Sequence, residues 1–130
     1  MYLFKYEVGR SYKDLTKSEF TIKKIEVEEK PKTYKTLNFE YVYPQKERSG
    51  YEYVNARINK SEVGFIKKVG YSGYTYEMFV LEDTKENRKL FLDEVTDCLN
   101  KSVNSIRETL RCVIGYCDSV KSSDFSSLGR

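Results

Sequence analysis

Residues 74–120 have the sequence YTYEMFVLEDTKENRKLFLDEVTDCLNKSVNSIRETLRCVIGYCDSV, and the spacing of apolar residues changes within this stretch. Residues 74–81 predict a last β-strand that is apolar at its end. From Leu90 to Val120, apolar residues recur every three or four positions, which is the spacing of an amphipathic helix. Acidic residues and the hydroxyl of Thr84 precede that run and predict its N-terminal cap. The stretch therefore predicts a strand followed by a long helix.

The part of the chain before residue 74 predicts a sheet, because its segments alternate or are rich in β-branched and aromatic residues. The predicted strands are residues 3–8, 20–28, 33–42 and 51–58, with an irregularity at Lys23 and Lys24. A sheet followed by a helix predicts the α+β class, with an antiparallel sheet of four to six strands and a long C-terminal helix or helix pair. We expect one domain over residues 1–121, with the sheet in residues 1–81, the helical part in residues 82–121 and a flexible tail in residues 122–130.

The predicted helix is too long for a small domain, because a rise of about 1.5 Å per residue gives it a length of about 55 Å. Either it breaks near residues 100–104, or another copy of the chain covers it. We predict a homo-oligomer formed through this helix, which buries an apolar stripe between chains. The stripe comprises Val103, Ile106, Leu110 and Val113.

The composition bounds the possible partners and the location of the protein. Lysine and arginine number 23 and aspartate and glutamate number 20, so the formal charge of +3 is too weak to indicate DNA or an anionic membrane as a partner. The sequence contains neither an apolar run of 18 residues nor an N-terminal run typical of secretion signals. We therefore expect a cytoplasmic protein with no membrane partner.

The absence of histidine from the sequence excludes Ser-His-Asp and Cys-His nucleophile systems and every histidine-ligated metal site within this polypeptide. Cys98, Cys112 and Cys117 have spacings that match no zinc or redox motif, so they are expected to be reduced residues of the helix. The sequence also lacks calcium-loop spacing and both glycine-rich phosphate motifs. We predict no catalytic residue, no metal and no cofactor, and therefore a protein that is not an enzyme.

Four polar residues of the predicted helix form a candidate ligand-binding stripe beside the apolar one, at positions i, i+4, i+7 and i+11. Arginine offers a planar fork to phosphate oxygens, and asparagine carries both a donor and an acceptor. From the residues alone, an ordinary boundary role in hydrogen bonds within or between helices is the better interpretation. Arg57 is similarly either an anion ligand beside a turn or a surface charge. The four helix residues are Asn100, Asn104, Arg107 and Arg111.

Three stretches, residues 25–34 (IEVEEKPKTY), 57–64 (RINKSEVG) and 78–83 (MFVLED), together resemble small phage and prophage proteins of Gram-positive bacteria. Within that set they are most similar to the Thoeris anti-defence sponges of the first described type. The resemblance covers roughly residues 20 to 95 in order. It implies an antiparallel sheet followed by C-terminal helices, and oligomers that bind cyclic ADP-ribose isomers between subunits without cleaving them. Some members also capture cyclic trinucleotides at a second site.

The resemblance also implies a type of pocket, with arginines on the phosphates, an aromatic ring under adenine, and asparagine or acidic residues on base and ribose. Arg57 and Phe79 lie in the resembling stretches, whereas the helix residues match by type alone. From composition alone, the aromatic residues are first of all expected in the core and interfaces. The resemblance predicts a phage anti-defence protein that sequesters a cyclic nucleotide immune signal in the host bacterial cytoplasm. The alternative is a protein-binding inhibitor of a host defence complex, such as an anti-CRISPR protein.

Overall fold

The computed structural model describes residues 1–10, 18–45, 56–69 and 75–120. Within these residues the chain forms six strands, a short 3-10 turn and one α-helix. The predicted tail, residues 122–130, and most of the strand predicted at residues 51–58 lie outside the described residues. The elements are β1 (Tyr2–Arg10), β2 (Ser18–Glu29), β3 (Thr33–Tyr43), β4 (Arg57–Asn59), the 3-10 turn (Lys60–Glu62), β5 (Lys67–Val69), β6 (Thr75–Val80) and α1 (Lys85–Val120).

The predicted α+β class is confirmed. The strands form one curled, antiparallel sheet in the order β4-β3-β2-β1-β6-β5, and a single long helix follows it. Of the two alternatives for that helix, the structure has the unbroken one, since α1 runs without interruption through residues 100–104. The chain divides into two compact units, one formed by Met1–Val95 and the other beginning at Thr96.

One face of the sheet, the helix face, is covered by the first turns of α1. Tyr6 lies directly opposite Ile22 on β2 and Met78 on β6, and all three side chains are fully buried. The ring of Phe91 lies 5.7 Å from that of Tyr6, and Val95, one turn later, is also buried. Because strand residues alternate between faces, these residues form a core on one side of the sheet only.

The other face, the concave face, has a core of its own because the sheet curls. Its buried residues come from β1 to β4, and the partly buried residues packed against them come from β3, from the turn after β4 and from β6. Residues 60–66 connect the two edge strands, and the amide of Gly64 in this connection donates to the carbonyl of Phe79 on β6 (2.7 Å). Gly64 has a φ of +88°, a conformation that favours glycine. The buried members are Leu3, Ile25, Val27, Tyr34 and Ile58.

The start of α1 is fixed to the sheet by a side-chain network. The Thr84 hydroxyl accepts a hydrogen bond from the amide of Asn87 (3.0 Å), which confirms the predicted cap. The Asp83 carboxylate accepts one bond from the Tyr6 hydroxyl (2.8 Å) and two from the Arg88 guanidinium (2.8 and 2.7 Å). This network joins the first turn of the helix to β1, so the helix begins at a defined place on the sheet.

Candidate functional site

Two lysines and two aromatic residues form a row across four strands on the concave face. Phe79 on β6 is opposite Lys5 on β1, Lys5 is opposite Lys23 on β2, and Lys23 is opposite Tyr41 on β3. All four side chains are half-buried. We call these four residues the lysine row. The row places two lysines on neighbouring strands between two aromatic residues.

Two carboxylates hold Lys5 in the row. Its ammonium lies 3.1 Å from Glu7 on the same strand and 3.2 Å from Glu77 on β6. Burial acts to lower the pKa of Lys5, but the charges of Glu7 and Glu77 and their hydrogen bonds outweigh this effect and raise it above the ordinary value. Lys5 is therefore protonated at neutral pH. An ammonium has three donors, so it can bind a ligand oxygen beside the two carboxylates.

Aromatic rings surround the second lysine. The Lys23 ammonium lies 4.7 Å from the ring centre of Phe39 and 5.4 Å from that of Tyr41, distances at which cation–π attraction operates. Tyr41 lies on this face two residues after Phe39, and the β2–β3 register then shifts between Ile22 and Lys23, next to the predicted irregularity. The shift pairs Tyr43 with Ile22, so Tyr41 and Tyr43 lie on opposite faces.

A small cavity lies beside the lysine row. Its volume is about 120 Å³, and its lining is mainly apolar, with the side chains of Lys5 and Thr36 as the polar members. Ligand pockets for small molecules usually exceed about 300 Å³, so this cavity admits one ring of a nucleotide but not a whole nucleotide. The remaining lining residues are Ile25, Ala56, Ile58 and Phe79.

This arrangement is chemically suited to binding. The ammonium groups of Lys5 and Lys23 can donate to phosphate oxygens, and the carboxylates of Glu7 and Glu77 can accept from ribose hydroxyls. An aromatic ring provides a stacking surface for a base. The two lysines and two glutamates sum to no net charge, so an anion at this site would be held by the placement of donors rather than by an excess of positive charge.

The structure places two of the residues predicted from sequence on opposite faces of the sheet. Phe79 lies on the concave face, lines the cavity and packs against the core there. Arg57 is exposed on the edge strand β4, and its guanidinium lies 3.5 Å from the hydroxyl of Thr33. Its neighbour Ile58 is the residue of β4 that points into the concave core, so alternation turns Arg57 the other way. One protomer therefore does not bring Arg57 to Phe79.

The four helix candidates lie together on one stripe of α1, all in the second unit and all exposed. Arg111 donates to Glu108 (2.8 Å) three residues earlier, which is the intrahelical pairing expected of an ordinary surface arginine. The apolar stripe that they border is itself exposed, so they do not line a buried boundary in the single chain. The four residues are Asn100, Asn104, Arg107 and Arg111.

Sequence reasoning missed most of the lysine row. Lys5 belongs to the alternating segment LFKYEV, and Lys23 appeared only as part of a strand irregularity. A charged residue within a predicted strand is usually assigned to the solvated face, and which strands pair cannot be inferred from a single sequence. A lysine and a glutamate two positions apart between apolar neighbours, as Lys5 and Glu7 are, was the available signal.

In the described part of the chain, no group of three or more cysteine, aspartate or glutamate side chains could hold a metal ion. No helix within those same ranges combines the length and the apolar character that crossing a membrane requires. Searches of protein-family models, curated proteins and solved structures find no match to this chain.

Proposed function

We propose that the protein binds and sequesters a cyclic nucleotide immune signal without cleaving it, and that it does so as a phage anti-defence protein in the host bacterial cytoplasm. A cyclic ADP-ribose isomer is the first candidate ligand, and cyclic oligonucleotides are the second. The observation that carries the binding proposal is the lysine row, where Lys5 and Lys23 lie between aromatic rings on one concave surface. The immune context rests on the sequence resemblance.

The concave face holds the three types of group that a nucleotide requires. The lysines donate hydrogen bonds to the phosphates, and Phe79 or the Phe39–Tyr41 pair stacks on the base. The glutamates accept hydrogen bonds from the ribose hydroxyls. The rings of Phe39 and Tyr41 meet edge to face at 5.5 Å, so each presents a different surface to a ligand. The cavity beside Phe79 accommodates one ring, and we infer that the rest of the ligand lies across the lysine row.

Retention of the ligand without cleavage follows from the same residues. A lysine acts as a nucleophile or a general base only when it is deprotonated, and the carboxylates on both sides of Lys5 raise its pKa and keep it charged. The sequence contains no histidine that could transfer a proton at neutral pH. We therefore expect the ligand to be released unchanged when the protein is denatured.

The direct test is calorimetric titration of the protein with cyclic ADP-ribose isomers and cyclic di- and trinucleotides, followed by heat release and mass analysis of the bound compound. Lys23→Met should weaken binding about ten- to a hundredfold, because a charge-assisted hydrogen bond of about 1.5 to 3 kcal/mol is lost. Lys24→Met is the matched control, since Lys24 is the next residue of the same strand and lies on the opposite face beside Tyr2 and Glu40.

The aromatic contribution is tested with Phe79→Leu, which keeps an apolar side chain in the core and removes the ring. Stacking is worth about 1 to 3 kcal/mol per base, so base-bearing ligands should bind about five- to a hundredfold more weakly, while pyrophosphate binding stays unchanged. Arg57→Ala and Arg107→Ala test the sites predicted from sequence. If these weaken binding and Lys23→Met does not, the ligand is held by the arginines and the lysine row is not the site.

The panel as a whole distinguishes the two functions considered from sequence. Failure of every cyclic nucleotide to bind at micromolar concentration would refute sequestration, and a protein-binding inhibitor of a host defence complex would then be the remaining proposal. Recovery of a linear or cleaved product, absent from a heat-killed control, would refute the claim that the protein leaves its ligand intact.

A further inference from the structure

The second half of α1 carries a seven-residue repeat. Beginning at Leu99, apolar residues follow at alternating steps of four and three over three heptads, which assigns them to heptad positions d and a in turn. A repeat of 3.5 residues is the pattern of a helix packed along another helix, whereas an isolated α-helix has 3.6 residues per turn. The repeat comprises Leu99, Val103, Ile106, Leu110, Val113, Cys117 and Val120.

The repeat is exposed in the single chain. The aliphatic members from Val103 onward expose between 42% and 55% of their surface, and every residue of 103–120 is exposed. An apolar stripe of this length on a protein surface indicates an interaction site. In the described part of the chain α1 is the one α-helix, so the helix that the repeat requires comes from another molecule.

The charges of this segment favour a second copy of the same chain. Residues 96–120 contain three lysines and arginines and three aspartates and glutamates, so the segment has no net charge and copies do not repel one another. We propose that residues 99–120 form a parallel, in-register coiled coil with the same segment of further copies of this chain. The inference is independent of the proposed function, because the lysine row belongs to the sheet.

The helices of two copies could run parallel or antiparallel, and a comparison of the two arrangements favours the parallel one. In a parallel, in-register assembly each layer joins identical residues, and all of these layers are apolar or cysteine. The antiparallel alignment that matches Ile106 with Leu110 places Arg107 beside Arg107 of the second copy and leaves Val120 unmatched. Like charges across a helix interface oppose association, so this alignment is disfavoured.

The residue types in the central part of the repeat, from Ile106 to Val113, favour more than two strands. Leu110 occupies an a position, and β-branched Ile106 and Val113 occupy d positions, a combination that favours three or four strands over two. Ile114 and Tyr116, at the flanking e and g positions, are also exposed and widen the apolar surface. A wider surface can contact two neighbouring helices at once, as each helix of a larger bundle does.

Two cysteines of this segment provide a built-in test of direction and register. Cys117 occupies an a position and would face its equivalents at the centre of a parallel assembly. Cys112 occupies a c position and points away from it. Both are free and exposed in the single chain, so they differ in position along the repeat and not in accessibility.

The experiment measures the mass of the full-length protein by light scattering during gel filtration at micromolar concentration. Three or four times the chain mass of 15.3 kDa is expected. Ile106→Lys should give the mass of one chain, whereas Ser105→Lys, one residue earlier at a c position, should behave as the parent protein. A monomeric parent, or equal effects of the two lysine substitutions, would overturn the proposal. A mass of two chains would refute the proposed number of strands in the coiled coil, but not the association of the helices.

Oxidation with a mild reagent then tests direction and register in two double variants. Cys98→Ala/Cys112→Ala retains Cys117, and Cys98→Ala/Cys117→Ala retains Cys112. The variant that retains Cys117 should form a disulfide-linked dimer at least fivefold faster. Equal rates, or faster linkage through Cys112, would show that the helices do not associate in parallel and in register.

Discussion

Replacement of Lys5 by methionine tests whether the carboxylates beside the lysine row depend on that lysine. Glu7 and Glu77 are directly opposite each other on β1 and β6, and the Lys5 ammonium lies 3.1 and 3.2 Å from them. Methionine keeps the length and the apolar stem of the side chain but removes its charge. The two carboxylates would then face each other without a cation between them, and like charges in this position destabilise a sheet.

The expected loss in the free energy of unfolding is about 1 to 3 kcal/mol. A hydrogen bond to a charged group contributes about 1.5 to 3 kcal/mol when it is shielded from water, and Lys5 has two such bonds. The three side chains expose 20%, 34% and 14% of their surface, so solvent screening reduces the sum. The double variant Lys5→Met/Glu77→Gln should recover most of the loss, because one of the two opposed charges is then absent.

The pH dependence has a defined sign. Glu7 and Glu77 raise the pKa of Lys5 above 10.5 despite its burial, so its contribution to stability is fully present below that pH. The contribution is lost as the pH rises through the higher pKa of the folded state. The difference in unfolding free energy between the parent and Lys5→Met should therefore be constant from pH 7 to 9 and smaller above pH 10.5.

Urea denaturation at pH 7, 9 and 11 measures these differences, with Lys24→Met as the control. Lys24 lies 3.9 Å from Glu40 and 4.2 Å from the ring centre of Tyr2 on the other face, so its replacement should cost about 0.5 to 1 kcal/mol. Equal stability of Lys5→Met and the parent at pH 7 would refute the reasoning. A difference that does not shrink above pH 10.5 would show that the loss arises from packing rather than charge.

Two further variants test the network that fixes the start of α1 and the helical stability of its last turns. The hydrogen bond from Arg88 lowers the pKa of Asp83, so the stability contributed by ionised Asp83 is present above its ordinary pKa of 3.8 and is lost as the pH falls through the lower folded value. Asp83→Asn should cost about 1 to 2 kcal/mol at pH 7 in urea denaturation, and the difference from the parent should shrink below pH 4; a constant difference would contradict this. Gly115→Ala should raise the midpoint of thermal unfolding followed by circular dichroism, because a β-carbon there meets no other atom within 4 Å and alanine stabilises a helix by about 0.5 to 1 kcal/mol relative to glycine. A lower midpoint would mean that the glycine is needed for packing.

The fold class could be predicted because the spacing of apolar residues differs between strands and helices, and each spacing marks a face that must be buried. The switch at Leu81 from strand to helix spacing is reproduced by the end of β6 at Val80 and the start of α1 at Lys85. The alternation in residues 3–8 was harder to interpret, because both faces of β1 are buried at Leu3 and Tyr6. Because Leu3 and Tyr6 lie on opposite faces, the apolar residues of β1 do not by themselves identify one buried face.

The candidate site could be predicted only in part, because it depends on which strands pair and in which register, and residue types alone do not show this. Phe79 was predicted and lies on the concave face. That Lys5 and Lys23 are neighbours can be inferred only once β1 and β2 are aligned in register. Register sets which side chains meet, and a shift of one residue would turn Lys23 to the opposite face. Arg57 was placed in the same site as Phe79 because both lie in resembling stretches, but alternation along β4 separates them.

The position of the two lysines is itself an argument for binding. Directly opposite like charges on a half-buried sheet face oppose folding, and the next row along the same two strands on this face joins Leu3 to Ile25 instead. That row shows that β1 and β2 accommodate apolar pairs where only a core is needed, and an apolar replacement of buried charges is often neutral or stabilising. Charged residues therefore occupy a row in which these strands could hold an apolar pair. An anionic ligand that contacts both lysines should therefore stabilise the fold as it binds.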